Sequence, residues 1–148
     1  WVIVNDDVMG GISNSNIYVN DYKKLVFQGN LSLDNNGGFA SSRLNINEKN
    51  LNGTKYFEIK LKGDGNNYKL RLRQESRRAS YSCDIKSQKN KWIVVSLPIE
   101  NFKPTWRGYS FSNYPDLVLE KINSLSLHIS DKQEGKFKLE IEYVKAIK

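Results

Sequence analysis

The sequence predicts an all-β protein, a β-sandwich or jelly roll of short strands, on three observations. Apolar and polar residues alternate with period two along most of the chain. Nowhere do apolar residues keep the three-and-four spacing of an amphipathic helix over three turns. Roughly nine or ten such stretches are separated by turn residues, and no linker or internal repeat divides them, so residues 1–148 read as one domain.

The first strand should end at Asn5-Asp6-Asp7-Val8-Met9-Gly10-Gly11-Ile12-Ser13. There Gly10-Gly11 frees the backbone for positive φ, and Asp6, Asp7 and Ser13 can bond neighbouring amides. Lys24 to Leu33 alternates through Leu25, Phe27 and Leu31. Phe39 to Ile46 turns Ala40, Leu44 and Ile46 inward and Ser41, Arg43 and Asn45 outward. Tyr56 to Lys62 sets Ile59 and Leu61 against Glu58, Lys60 and Lys62. The turn Gly63-Asp64-Gly65-Asn66-Asn67 then reverses the chain. Tyr68, Leu70 and Leu72 follow on one side and Lys69, Arg71 and Arg73 on the other, which reads as a hairpin with one wet face. Further strands are expected at Ala79 to Lys86, Lys91 to Leu97, Ser124 to Ser130 and Lys136 to Ile147. Between Glu100 and Lys121 lies one long irregular stretch with Pro104 and Pro115, in which Phe102, Trp106, Tyr109, Phe111 and Tyr114 interleave with Arg107. Such a loop acts as a packed lid or as a binding loop.

A chain of 148 residues buries enough core to stand without staples. Its one cysteine, Cys83, cannot pair internally, which excludes a disulfide framework and fits a reducing compartment. No apolar run approaches the roughly 18 residues of a membrane span, and no n-region or cleavage site opens the sequence. The net charge of +7 attracts anionic partners in general and selects none of them.

Catalysis requires groups that titrate, attack or hold metal. His128, the only histidine, alternates with Ser126 and Ser130 on the polar side of its strand. Same-face strand neighbours stand about 7 Å apart, too far for a nucleophile and its base, so no triad with Asp131 is expected. Gly63-Asp64-Gly65 precedes a strand rather than a helix and is therefore a turn, not a phosphate loop. Asp6 and Asp7 are secondary candidates for a structural calcium site, although turn capping accounts for the same carboxylates. No ligand set for zinc is present, and no cofactor is expected.

The arginines carry the stronger expectation. Arg43, Arg71 and Arg73 should project from polar strand faces, with Ser80, Ser82 and Asp84 beside them on the next strand. Guanidinium forks bind carboxylates, phosphates and amide oxygens at two points. The alternative is an internal brace in which Arg43 or Arg71 pairs with Asp84, Asp131 or Glu134. Nucleic-acid binding would add exposed stacking aromatics, whereas Tyr68 and Tyr81 face the core, so nucleic acid is not an expected partner.

Four blocks stand in order: Asn5 to Ser13; Asn35-Asn36-Gly37-Gly38-Phe39-Ala40-Ser41-Ser42-Arg43; Gly63-Asp64-Gly65 with Tyr68, Leu70 and Arg71; and Trp106-Arg107-Gly108 with Asp131-Lys132-Gln133-Glu134-Gly135 before Phe137. Together they resemble the complex I intermediate-associated protein 30 family over nearly the whole length. Ile12, Asn66-Asn67 and Lys136 depart from its usual pattern. The resemblance implies a jelly-roll sandwich of the galactose-binding-domain-like kind, related in shape to carbohydrate-binding modules. It also implies a non-catalytic role in assembling respiratory NADH dehydrogenase or photosynthetic complexes, on the matrix or stromal side of an organelle or in the cytoplasm. Candidate contacts are Arg43, Arg71, Arg73, Asp84, Trp106, Arg107, His128, Asp131 and Gln133, toward protein subunits of a membrane-bound complex. A carbohydrate-binding module is the second expectation and a small-ligand enzyme the third.

Overall fold

The computed structural model describes residues 2–5, 14–31, 39–46, 51–74, 79–106, 109–110, 113–130 and 135–148. Of residues 2–5, 14, 106, 109 and 110 it describes the backbone alone. Asp6, Asp7, Arg107, Asp131 and Gln133 lie outside the described residues.

Two antiparallel sheets face each other. The strands are β1 (Val2–Asn5), β2 (Asn14–Val19), β3 (Leu25–Leu31), β4 (Ala40–Asn45), β5 (Tyr56–Lys62), β6 (Asn67–Gln74), β7 (Ser80–Lys86), β8 (Trp92–Pro98), β9 (Lys103–Trp106), β10 (Tyr109–Ser110), β11 (Ile122–Ile129) and β12 (Gly135–Ile147). The larger sheet runs β1-β4-β11-β6-β7-β9-β10 and the smaller β2-β3-β12-β5-β8. Two short 3-10 turns, Ile99–Asn101 and Leu119–Lys121, are the only helical pieces among the described residues. None is long and apolar enough to cross a membrane.

Alternation dictates the core. In β5, Phe57, Ile59 and Leu61 turn inward, and in β6, Tyr68, Leu70 and Leu72 do the same from the opposite sheet, all nearly inaccessible. Each fully buried side chain of this size stabilises the sandwich by about 1.5–3 kcal/mol. Phe137 joins the layers, edge-on to Phe27 at 5.1 Å and to Tyr68 at 6.4 Å between ring centroids. Cys83 is also buried, and desolvation, with Asp84 adding to it, raises its thiol pKa. That environment keeps it an unreactive thiol.

The segment after β5 corrects the expected hairpin: β5 belongs to the smaller sheet and β6 to the larger, so residues 63–66 form a corner between layers. Asp64 holds that corner. Its Oδ1 accepts from the Asn66 amide and from the Tyr68 hydroxyl, each at 3.0 Å. Its Oδ2 accepts from Asn66 Nδ2 at 2.9 Å and from the Lys138 amide at 2.7 Å, reaching β12. Ser87 closes the other side, accepting from the Gly65 amide at 3.1 Å and donating to the Asn66 carbonyl at 2.7 Å. Gly65 has φ +91°, and a Cβ on Gly63 would stand 2.1 Å from Ser87 Cβ. Both glycines are therefore required by space or backbone.

The long stretch after Glu100 is more regular than its prolines predict, because β9 adds to the edge of β7 and β10 returns along β9. Proline is tolerated at position 104 because β10 pairs only with Thr105 and Trp106, so Pro104 faces no described strand on that side. Residues 113–118 cover the end of the core: Tyr81 donates to the Pro115 carbonyl at 2.6 Å, and buried Gln74 accepts from the Val118 amide at 2.9 Å.

Candidate functional site

The site is the outer face of the larger sheet, where strand register aligns residues scattered in sequence. Ser126 of β11 lies between Arg43 of β4 and Arg71 of β6, and Arg71 is followed by Ser82 of β7. One row nearer the other end, His128 lies between Ser41 and Lys69, with Asp84 beyond. On the other side Ser124 lies between Asn45 and Arg73, with Ser80 beyond. The expected gathering of Arg43, Arg71, Arg73, Ser80, Ser82 and Asp84 on one face is what the sheet builds. Sequence reasoning left Lys69, Ser124 and Thr105 unassigned. Their signal was the same alternation, but only strand order makes them neighbours.

Hydrogen bonds fix part of this surface. Arg71 Nε donates to Ser82 Oγ at 3.3 Å, and Ser82 Oγ lies 3.1 Å from Thr105 Oγ1. Arg71 Nη1 lies 3.4 Å from His128 Nδ1. Phe39 stacks on the imidazole at 5.7 Å with the rings 23° apart. Asp84 is taken by Lys69, at 2.6 Å. The alternative of an Arg-Asp84 brace is thus not what forms. Among the described residues no carboxylate pairs with Arg43, Arg71 or Arg73.

The polar face is not uniformly wet, as the alternation alone implied. On the central strand β11, Ser124, Ser126 and His128 are buried, at 3%, 9% and 7% exposure, although they point away from the core. Burial, then the charges of Arg71 and Lys69, push the His128 pKa down to about 3. The imidazole is therefore neutral near pH 7 and serves as a network histidine beside Arg71. Burial also lowers the Arg71 pKa, and the like charges of Arg73 and Arg43 lower it further. The guanidinium nonetheless stays charged. Arg43 Nε is shielded from solvent and has no hydrogen-bond partner among the described residues. Three cations crowded with no paired carboxylate among the described residues raise the energy of the free protein, and such arrangements concentrate at binding sites.

Trp106 ends β9, whose partner strand β7 also flanks β6, so its backbone borders the same sheet edge. Tyr114 is half-buried, its ring edge-on to Tyr81 at 6.2 Å. Elsewhere, a polar cleft of about 600 Å³ on the smaller sheet is lined by Asn16, Gln28, Asn30, Asp64, Lys136 and Lys138, among others. Among the described residues, no group of three or more histidines, cysteines or acids gathers in a way that could hold a metal.

A model of the family described as complex I intermediate-associated protein 30 matches residues 1–141. An uncharacterized protein of Schizosaccharomyces pombe is similar to this chain, 30% identical over 168 aligned positions that span 97% of the chain and 76% of that protein. A probable complex I intermediate-associated protein 30, mitochondrial, of Caenorhabditis briggsae is 26% identical over 97% of the chain, which spans about half, 49%, of that relative. Among solved structures, a family 11 carbohydrate-binding module from Clostridium thermocellum, in complex with a mixed-linked tetrasaccharide, is similar with a TM-score of 0.69. Its sequence identity is 15%, over 93% of this chain and 84% of that one. At that identity the likeness speaks for the fold alone, and it bears out the expected galactose-binding-like jelly roll.

Proposed function

We propose, from the premise that the chain belongs to the complex I intermediate-associated protein 30 family, that it is a non-catalytic protein-binding module. Its task on this reading is to hold a subunit or intermediate of an NADH dehydrogenase-like or photosynthetic membrane complex during assembly. The observation that carries the reading is the face on which Arg43, Arg71 and Arg73 stand in register without a paired carboxylate among the described residues. A partner supplying negative charge would relieve their repulsion, and arginine is among the residues that most often dominate interface energetics. Among the described residues, His128 is buried and neutral between Phe39 and Arg71, and Cys83 is a desolvated thiol.

A relative named as mitochondrial supports a matrix-side location for this module. Trp106, whose strand β9 pairs with β7, is proposed as a further contact; Arg107, Asp131 and Gln133 are proposed contacts too, and lie outside the described residues. Photo-cross-linking from native membranes, with the cross-linker placed at Ser80 on that face, tests the reading. Recovery of a subunit of a membrane redox or photosynthetic complex supports it, and recovery of nothing above background overturns it.

A second reading, carbohydrate binding, draws on the polar cleft lined by Asn16, Gln28, Asn30 and Asp64. Among the described residues, Phe137 is the one aromatic lining that cleft, and it is buried in the core, so none of them offers a sugar ring a platform there. Retardation in a gel containing mixed-linked β-glucan would favour this reading over the first.

A further inference from the structure

Arg43 and Arg71 flank Ser126 across two strand spacings, about 10 Å between Cα positions, so their long side chains can converge above the serine. The two forks are unequally committed. Arg71 spends Nε on Ser82 and directs Nη1 at His128, which leaves most of its five donors unassigned. Arg43 Nε is hidden from water with no acceptor among the described residues, the costly state of a buried donor. The described neighbours do not supply what is missing. Ser82 is shared with Thr105, and Asp84 belongs to Lys69. Arg73, two residues along β6, adds a third positive charge at the rim, about 7 Å from Arg71.

We infer that Arg43 and Arg71, with Ser126 as floor and His128 as the group that orients Arg71, form a receptor for a carboxylate from an acidic segment of a protein partner, with Arg73 engaging a second acid. The inference rests on the protein-docking reading and deepens it by naming the chemistry recognised. A carboxylate matches what the pocket offers, because its two oxygens accept from planar forks in bidentate fashion and its charge offsets the crowded cations. A neutral sugar hydroxyl would offer one acceptor and no charge. His128 suits the same purpose. A neutral imidazole can accept from Arg71, whereas a protonated one would add a fourth cation and point a donor at a donor.

The test uses the folded chain and two probes, an acetylated Glu-Gly-Glu-Gly peptide and sodium phosphate, each titrated at constant ionic strength while the arginine Nε–H signals are followed by NMR. The Glu peptide is expected to shift the Arg43 and Arg71 signals saturably, and the Gln-Gly-Gln-Gly counterpart to leave them in place. Arg43→Met should weaken peptide binding at least about tenfold. Arg43→Lys, which keeps charge but loses the fork, should weaken it severalfold. Lys55→Met, at an exposed position beside the smaller sheet, should change nothing. Unfolding curves of both Arg43 variants establish that they are folded. Equal binding by Arg43→Lys overturns the two-point receptor, and binding of phosphate without binding of the Glu peptide overturns the carboxylate assignment. If neither probe moves the arginine signals while cross-linking still captures a partner through this face, the receptor is wrong and the docking reading stands. If the peptide binds and no partner is captured, the carboxylate receptor stands, while the docking reading and the protein origin of the acid fall.

Discussion

Arg71 Nη1 lies 3.4 Å from Nδ1 of His128, and since a guanidinium can only donate, the imidazole nitrogen accepts. The proton of the neutral ring is thereby assigned to Nε2. The face thus holds its histidine in the form that steadies an arginine.

That arrangement makes stability pH-dependent in a defined direction. Burial, Arg71 and Lys69 push the His128 pKa down to about 3, below its ordinary 6.5. Between those values the unfolded chain binds the extra proton, so stability rises with pH. The contribution is complete above about pH 6.5 and is lost as pH falls toward about 3, by about 1.4 kcal/mol for each pH unit. Urea unfolding of the wild type and of His128→Gln between pH 7 and 4.5 should show the wild type losing more stability. Parallel curves would remove His128 as the cause.

Arg43 should show the trade between stability and binding. Replacing it by Met removes a solvent-shielded Nε–H without a partner and one of three crowded charges. Arg43→Met is expected to unfold at higher urea than the wild type, by about 1 kcal/mol. Part of that gain should shrink as salt screens the repulsion in the wild type. A destabilised variant would mean that the guanidinium is satisfied in the free protein.

At the corner between the sheets, Asp64 accepts from two backbone amides, the Tyr68 hydroxyl and Asn66 Nδ2. Asp64→Ala strips the buried end of Tyr68 and the Lys138 amide of their acceptor. A loss of about 3 kcal/mol is expected, since hydrogen bonds to a charged group contribute about 1.5–3 kcal/mol each and water replaces some of them. Thermal unfolding should fall by roughly 6–12 °C for a chain of this size. Asp64→Asn, which keeps one acceptor, should lose less.

Gly63→Ala places a Cβ 2.1 Å from Ser87 Cβ, an overlap that neither backbone can avoid without moving. The expected cost is about 2–3 kcal/mol or more. Ser87→Gly alone loses the bonds to the Gly65 amide and the Asn66 carbonyl. The double variant should be less destabilised than the sum of the two, because the overlap is gone. Simple additivity in urea unfolding would place the strain elsewhere.

Much of the fold is legible in the chain. The spans read from alternation at Tyr56 to Lys62, Lys24 to Leu33 and Lys136 to Ile147 fall within a few residues of β5, β3 and β12. Inward and outward sides follow at once, because a strand places successive side chains on opposite faces whatever it pairs with. Tyr68, Tyr81 and Cys83 are accordingly in the core, and Arg43, Arg71 and Arg73 are on the other side. The short strands β9 and β10 were not legible, since Pro104 and the aromatic spacing around it mask the alternation of strands only four and two residues long.

The sequence by itself determined the family, the all-β class and the face on which Arg43, Arg71 and Arg73 stand, since all of these depend on residue order and on period two. Tertiary structure alone decided which strands lie side by side. A turn such as Gly63 to Asn67 can close a hairpin or carry the chain to the opposite sheet with the same residues, and packing of Asp64 against β12 selects the second. Long-range pairing likewise inserts β11 between β4 and β6, bringing Arg43 and Arg71 to either side of Ser126 and burying His128 on a face that alternation marks only as polar. Local periodicity carries no information about neighbours far along the chain, so the guanidinium cluster exists only once the sheet is assembled.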